Sequence, residues 1–326
     1  DWSSDVCSSD LPDLPIWGAE YPCSVLADEI EAGNLRVLVV FGGNPMTAFP
    51  NTDRIRRALS MLDALIVLDV VDTETTEVAT HVLPTKGQLE RAELPYCYDQ
   101  FTLDCSTQFS PAFVPPVGVA QSMWWIAARL GEGLGVEVLP PPLSSASSDL
   151  DVLAALAGRA PVSFEQIVRD RYVTAAPEFG WVRNRVLPDG RWRLAPTELV
   201  DQLARWRELV PPMGLTMTSR RQAGRLNSQH PPAAGGVAEV PIAIVHPETG
   251  RRSGLVDGDS AVLESPHGSV RAVVALSEDV HPDSVSLAHG WTDVNVSLLT
   301  SEHHVDNLTG MVTQTAVPVT LRRADS

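Results

Sequence analysis

Three stretches of this sequence carry side chains suited to holding an anionic or nucleotide-like ligand. Gly42-Gly43-Asn44-Pro45 follows the apolar run LRVLVVF, and glycines without Cβ atoms let backbone N–H groups approach a phosphate. The same residues equally make an ordinary turn. Asp69 closes the next apolar run. There a carboxylate accepts hydrogen bonds from a sugar or from the N–H groups of a base, or is simply solvated at a strand end. Thr218-Ser219-Arg220-Arg221, followed by Asn227-Ser228, puts two hydroxyls, two guanidiniums and an amide on one excursion of the chain. Arginine grips phosphate through paired hydrogen bonds, and arginine pairs also solvate surface loops. Other chemistry is poorly provided for. His303-His304 has no further Cys or His at ligand spacing, which favours solvent exposure over a metal site, and His289-Gly290-Trp291 reads as a turn with a buried Trp. G-x-S-x-G, Walker A and G-x-G-x-x-G patterns are all missing from the sequence, which leaves a serine triad and ordinary ATP or NAD sites unsupported.

These residues need two cores to position them, and 326 residues are enough for two domains. With 44% hydrophobic and 20% charged residues and no apolar run near the ~18 needed to cross a bilayer, the chain reads as globular without a membrane span. Asp and Glu number 41 against 24 Lys and Arg, a net charge of −17, which argues against nucleic acid as a partner. Cysteines 7, 23, 97 and 105 have neither CxxC pairing nor the density of a disulfide scaffold. Residues 1–11, with Ser-Ser-Asp at Ser3–Asp5 and again at Ser8–Asp10, read as a non-native or disordered leader, with native sequence expected upstream. No export feature is visible, so the cytoplasm is the default location.

Strand, loop, helix and strand follow one another through LRVLVVF, Pro50–Asp53, a helix with Ile55, Leu59 and Leu62 on one face, and ALIVLDVV. That order predicts a parallel α/β sheet, with the first strand covered on both faces, and HVLP supplies a third strand. Residues 86–119 read as a long excursion. A helix from Ser122 presents Trp125, Ala128 and Leu130, and three helical patterns span 150–210, broken by RVLPDGRWRL with an Asp189-Gly190 hairpin signal. After Pro211-Pro212, short Val-rich strands at regular spacing predict a small β-barrel. The expected organisation is a Rossmann-like α/β portion at 12–140, a helical connecting region at 141–210 and a β-barrel at 211–326.

Taken in order, these segments resemble the C-terminal half of the molybdopterin oxidoreductase family, over nearly all of residues 12–323. The family's G-x-N-P loop, Asp, T-E-T-A and A-D-x-V-L-P segments correspond to Gly43–Pro45, Asp69, Thr73-Glu74-Thr75-Thr76 and Ala79–Pro84; Glu90-Arg91 and Gln108 follow. Met217–Ser228 is similar to the opening strand and phosphate loop of its molybdopterin dinucleotide-binding domain. Gly254–Val274 resembles its L-x-D-G-D-x-V segment, and HGWTDVNVSLLTS with Asp306–Met311 completes the likeness.

The resemblance implies a partial Rossmann-like domain followed by a double-psi type β-barrel. It also implies the bis(molybdopterin guanine dinucleotide) molybdenum cofactor, with contacts at Gly43, Asn44, Pro45, Leu68, Asp69, Arg91, Met217, Thr218, Ser219, Arg221, Asn227 and Ser228. Asp69 would read guanine. A [4Fe–4S] centre and the molybdenum ligand are expected only in an N-terminal part absent from this sequence, so no catalytic or metal residue is assigned. Thr80, Ser297 and Met123 depart from the family pattern, which puts individual polar contacts in question. The implied activity is two-electron oxidation or reduction of a small molecule by a formate dehydrogenase-like enzyme. It would work with redox partner subunits and the missing half of the chain, this portion being inactive alone. The alternative is a non-catalytic module that binds a guanine nucleotide or a partner protein.

Overall fold

The computed structural model describes residues 20–95, 104–187, 189–208, 213–222, 241–306 and 308–325. The leader at 1–11, the boundary expected at Pro211-Pro212, and Asn227 and Ser228 lie outside them. The first elements are α1 (Leu26–Glu31), β1 (Val37–Phe41), α2 (Pro45–Ala48), α3 (Thr52–Met61), β2 (Ala64–Asp69), α4 (Glu74–Val78) and β3 (His81–Pro84). Next come β4 (Ser106–Gln108), α5 (Met123–Leu134), α6 (Asp149–Leu156), α7 (Phe164–Asp170), β5 (Tyr172–Thr174) and α8 (Thr197–Glu208). The last part holds β6 (Thr216–Arg220), β7 (Ile242–Val245), α9 (Pro247–Arg252), β8 (Ser260–Ser265), β9 (Gly268–Leu276), β10 (Ser284–Ala288), β11 (Val317–Pro318) and β12 (Thr320–Arg323). The chain forms two compact units. One holds the residues through Val67, Asp72–Val82 and Ala204 onward; the other holds Leu68–Val71 and Leu83–Leu203.

In the first unit, the seven strands of the larger sheet run in the order β11-β6-β10-β7-β9-β8-β12. Laid flat at about 4.8 Å per interstrand gap, such a sheet would be roughly 29 Å wide. Yet β11 and β12, its opposite edges, are separated in sequence by Val319 alone, and one residue reaches at most ~3.6 Å. The sheet must therefore curl until its edges meet. Its concave side encloses Met217, Val245, Leu263, Val274 and Leu287, all buried to 1% exposure or less. Alternation selects these residues, since Val270, Ala272 and Val274 point inward from β9 while Ser269 and Arg271 face out.

The smaller sheet has the order β1-β2-β3. Asn51 begins α3 from a left-handed conformation (φ 53°) and accepts the Arg54 N–H at 3.2 Å, as the Pro50–Asp53 signal predicts. Ile55, Ala58 and Leu59 then bury the helix against Val40, Leu65 and Val67. The expectation that β1 is covered on both faces is not met, because Val37 and Phe41 remain 50% and 51% exposed. An apolar run reports what a strand is able to bury, and Val40 alone on β1 is buried. Likewise β2 stops at Asp69, leaving Val70 and Val71 exposed.

The second unit packs α7 and the antiparallel pair β4–β5 around Phe109, Ile167 and Val173. On α5 the buried residues are Ile126, Ala128 and Gly131, not the expected set with Trp125 and Leu130. Gly131 decides this orientation, since a Cβ there would lie 2.4 Å from Val138 Cγ2 and 2.7 Å from the Val136 carbonyl oxygen. Trp124 and Trp125 stay partly exposed while their indole N–H groups donate to Asp149 and to the Ser145 carbonyl respectively. The Asp189-Gly190 hairpin also fails among the described residues. Gly190 does turn (φ 65°), but Val182–Val186 forms a π-helical turn and 191–194 form no strand.

Arg54 ties the ends of the first unit together. It donates to Asp28 at 2.5 Å, to Glu31 at 2.6 Å and to Glu302 at 2.8 Å, and Asn51 adds a bond to Glu302 at 3.2 Å. Burial pushes the Glu302 carboxyl up, but a backbone amide, Arg54 and Asn51 outweigh it and hold the carboxyl below its ordinary value. A carboxyl depressed by folding stabilises fully above the unfolded value, about pH 4.3, and loses that stabilisation as pH falls through the folded value. Arg54→Ala should therefore cost about 2 kcal/mol at neutral pH. The gap from wild type in urea denaturation should narrow below about pH 4; a gap unchanged with pH would sink this account.

Candidate functional site

The Gly42–Pro45 loop is framed by the segment that follows β2. Gly42 and Gly43 have φ of 68° and 88°, a conformation that side chains rarely adopt, and a Cβ added to either would meet nothing within 4 Å. Pro45 occupies the first turn of α2, where its missing N–H costs nothing. Asn44 is buried. Its amide donates to Glu74, and its side-chain oxygen accepts from the Thr75 hydroxyl at 2.6 Å, which in turn accepts the Met46 N–H at 3.2 Å. The Thr73–Thr76 segment is thus a clamp. Thr73 caps α4 reciprocally with Thr76, while Glu74 also accepts a hydrogen bond from Thr292. Burial raises the Glu74 carboxyl, and the bonds from Thr292, a backbone amide and Asn44 more than reverse that, leaving it below its ordinary value.

Beyond this loop lies a cavity of about 330 Å³ lined by Thr47, Ala48, Ser219, Arg221, His289, Ser297 and Gln314, with Val296. Two sequence regions more than 160 residues apart meet here. Ser297 donates to the Thr47 carbonyl at 2.8 Å, and Asn295 donates to the Met46 carbonyl and to Thr52, so the turn at Val296–Leu299 is fixed against α2. From the other side, the Ser219 N–H donates to the Gln314 carbonyl at 3.1 Å and the His289 N–H to the Arg220 carbonyl at 3.1 Å. Hydroxyls, an amide, an imidazole and a guanidinium therefore converge, a donor set suited to an anion.

The sequence-predicted residues are distributed unevenly. Ser219 and Arg221 line the cavity; Thr218 lies between them and Met217, whose side chain is fully buried in the core of the curled sheet. Arg220 was passed over in favour of Arg221, yet it is the more unusual group. It donates to the Ile242 carbonyl at 3.2 Å, its buried Nε has no partner among the described residues, and burial pushes the guanidinium below its ordinary value. Thr47, His289 and Gln314 were also missed as lining residues. The only sequence signal for His289 was its place directly after the DSVSLA strand.

Leu68, Asp69 and Arg91 belong to the second unit. Leu68 is fully buried and Asp69 nearly so. Asp69 accepts the Val70 N–H at 2.7 Å through its carboxylate and the Thr85 N–H at 2.9 Å through its carbonyl, and the buried Thr85 hydroxyl has no partner among the described residues. Arg91 donates to Glu93 at 3.2 Å and to the Lys86 carbonyl at 3.4 Å. Thr80, one of the departures from the family pattern, bonds both backbone groups of Leu65 at 2.9 Å and so serves β2. No group of three or more His, Cys, Asp or Glu among the described residues is arranged to hold a metal ion, and no described helix is long and apolar enough to cross a membrane.

The family model described as Molybdopterin oxidoreductase matches residues 20–133, and the one described as Molydopterin dinucleotide binding domain matches residues 215–318. A protein named Probable oxidoreductase YyaE from Bacillus subtilis (strain 168) is 25% identical over 319 residues, covering 91% of this chain and 47% of that protein. Nitrate reductase from Klebsiella oxytoca is 25% identical over 309 residues, covering 87% of this chain and 34% of its own. The chain thus spans less than half the length of these relatives. Several others are named as alpha subunits of oxidoreductases, formate dehydrogenases among them. Among solved structures, acetylene hydratase from Pelobacter acetylenicus shares the fold, with a TM-score of 0.71 at 16% identity over 95% of this chain and 47% of that one. The chain thus carries, in order, regions matched by the Molybdopterin oxidoreductase and Molydopterin dinucleotide binding domain models, each over about a third of its length.

Proposed function

We propose that this chain is the cofactor-binding portion of a molybdenum-dependent, formate dehydrogenase-like oxidoreductase that holds bis(molybdopterin guanine dinucleotide). The observation that carries the reading is Arg220, a half-buried guanidinium whose buried Nε lacks a partner, on the strand that also brings Ser219 to a polar cavity. A buried charge without a counter-ion is costly, and a diphosphate would supply both the missing acceptor and the compensating charge. The residues fit such a group. Ser219, Arg220 and Arg221, joined by Thr218, Asn227 and Ser228 from the same segment, would bind phosphate oxygens. Gly43, Asn44 and Pro45 would offer an open backbone edge, with Met217 and Leu68 as apolar support.

Asp69 is assigned to the guanine base, whose N1–H and exocyclic amine match the two oxygens of one carboxylate, with Arg91 as a further polar contact. When bound, the cofactor supplies the centre that exchanges two electrons with a small-molecule substrate; the protein's share is binding and orientation. The formate dehydrogenase-like assignment leans on the RRQAGRLNSQ segment at 220–229. Redox partner subunits complete the electron path, while an iron–sulfur centre and the molybdenum ligand are assigned to sequence outside these 326 residues, which are inactive alone. A double-psi closure of the curled sheet and a cytoplasmic location belong to the same reading.

Two measurements test it. Titrated with guanosine and adenosine diphosphates, the purified chain should prefer the guanine form, and Asp69→Asn should remove that preference, a loss of about tenfold. Equal affinity for the two nucleotides would refute the guanine assignment. Arg220→Met should weaken diphosphate binding by tenfold or more while leaving the ligand-free chain as stable as wild type or more so, since it removes an unpaired buried charge. Unchanged binding in that variant would remove the observation on which the function rests.

A further inference from the structure

We propose that His289 is a proton-linked ligand contact of the polar cavity: its imidazole binds a phosphate oxygen in the charged form, so that diphosphate binding takes up a proton from solvent. This rests on the reading that the cavity receives a diphosphate. β10 pairs in parallel with β6 in a register that sets Ala288 opposite Arg220, and the His289 N–H donates to the Arg220 carbonyl at 3.1 Å. One residue beyond that pairing, His289 and Arg221 leave the same end of the two strands side by side, and both line the cavity of about 330 Å³. His289 is half-buried there and Arg221 is exposed. Arginine stays charged at every working pH, whereas an imidazole changes charge close to neutrality.

The surroundings leave that positive charge to be met by a ligand. Besides Arg221, the polar residues lining the cavity are Thr47, Ser219, Ser297 and Gln314, all neutral, and no carboxylate among the described residues lines it. The elements packed around His289 add little charge. α2, β7 and the turn at Val296–Leu299 carry no charged residue, and β6 brings only Arg220. Along the chain, Asp293 is exposed, while the Glu74 carboxylate is engaged by Asn44 and Thr292. His289 is itself engaged within the chain. A diphosphate in the cavity would neutralise Arg221 and attract the imidazolium. Protonation and diphosphate binding then strengthen each other, so affinity rises as pH falls toward the ordinary imidazole range, about 6.5, and declines above it.

Guanosine diphosphate mannose provides the test, because a diphosphate diester keeps one charge across the whole range. Titration calorimetry on the full chain should show affinity rising about fivefold from pH 8.5 to pH 6.0. Near pH 7 the heats measured in buffers of different ionisation enthalpy should report proton uptake on binding. His289→Gln should abolish the uptake and leave an affinity that changes by less than about twofold over the same range. His289→Asn gives the same readout if the longer amide disturbs the turn. An affinity of the wild-type chain that is flat in pH, or a pH dependence that survives both variants, overturns the role of His289 while the diphosphate site stands. Absence of binding at every pH removes the site and the histidine's role together.

Discussion

The constraint on which the candidate site depends is that two remote stretches of chain must be held at one place, and Arg54 does most of the holding. Its guanidinium reaches Asp28 and Glu31 on one side and Glu302, 248 residues later, on the other. Three carboxylates around one cation would repel one another without it. Folding of the α1–α3 region and docking of the segment around residue 302 are therefore coupled, because neither side satisfies its charges alone. Around this hub lie directional bonds that set the geometry more finely: Ser297 and Asn295 to the backbone of α2, and Glu74 to both Asn44 and Thr292. The cavity lined by Ser219, Arg221, Thr47 and His289 exists because α2 and the strand β6 end in the same place.

Arg220 shows the opposite arrangement. In a chain with a surplus of seventeen negative charges, arginines find carboxylates readily, as Arg54, Arg252 and Arg323 do. Arg220 has no such partner among the described residues, and part of its guanidinium is removed from water. Structural arginines are satisfied within the fold; one that is buried and unsatisfied points to a charge from outside it. The same reasoning separates Asn44 from its neighbours in the glycine loop. Both ends of its amide are occupied by Glu74 and Thr75, so its first role is to shape the loop, and the open edge is provided by Gly42 and Gly43.

Much of this was legible in the sequence because it rests on local rules. Short Val-rich runs at regular spacing located the strands of the curled sheet, the Pro50–Asp53 signal located the start of α3, and the order of short segments pointed to the family. What escaped depended on distance. The buried face of α5 is set by Val136 and Val138 crowding Gly131, a contact that no helical periodicity contains. Asp189-Gly190 supplies a turn, but a hairpin needs strands to pair on either side, and a π-helical turn precedes this one. Two adjacent arginines look alike in sequence; that Arg220 is partly buried while Arg221 is exposed depends on how β6 is seated between β10 and β11. The Ser297 departure is a milder case, since the amide contacts to α2 and to Thr52 are made by Asn295 two residues earlier.

The division of labour in this architecture follows from what its residues are able to do. The described residues hold no metal-ligating cluster, and the sequence has no G-x-S-x-G pattern. What the chain does provide is hydrogen-bond donors on rigid elements. Ser219 and Arg220 lie on a strand bonded on both sides, and the loop glycines lie between β1 and a helix whose position is fixed by two side-chain bonds from the far end of the chain. Rigid placement of this kind suits a long, multiply charged ligand, because each donor then binds without losing further conformational freedom. Thr80 and Ser297 take part in that placement: their side chains bond to backbone groups of β2 and α2 and so maintain the frame that carries the donors.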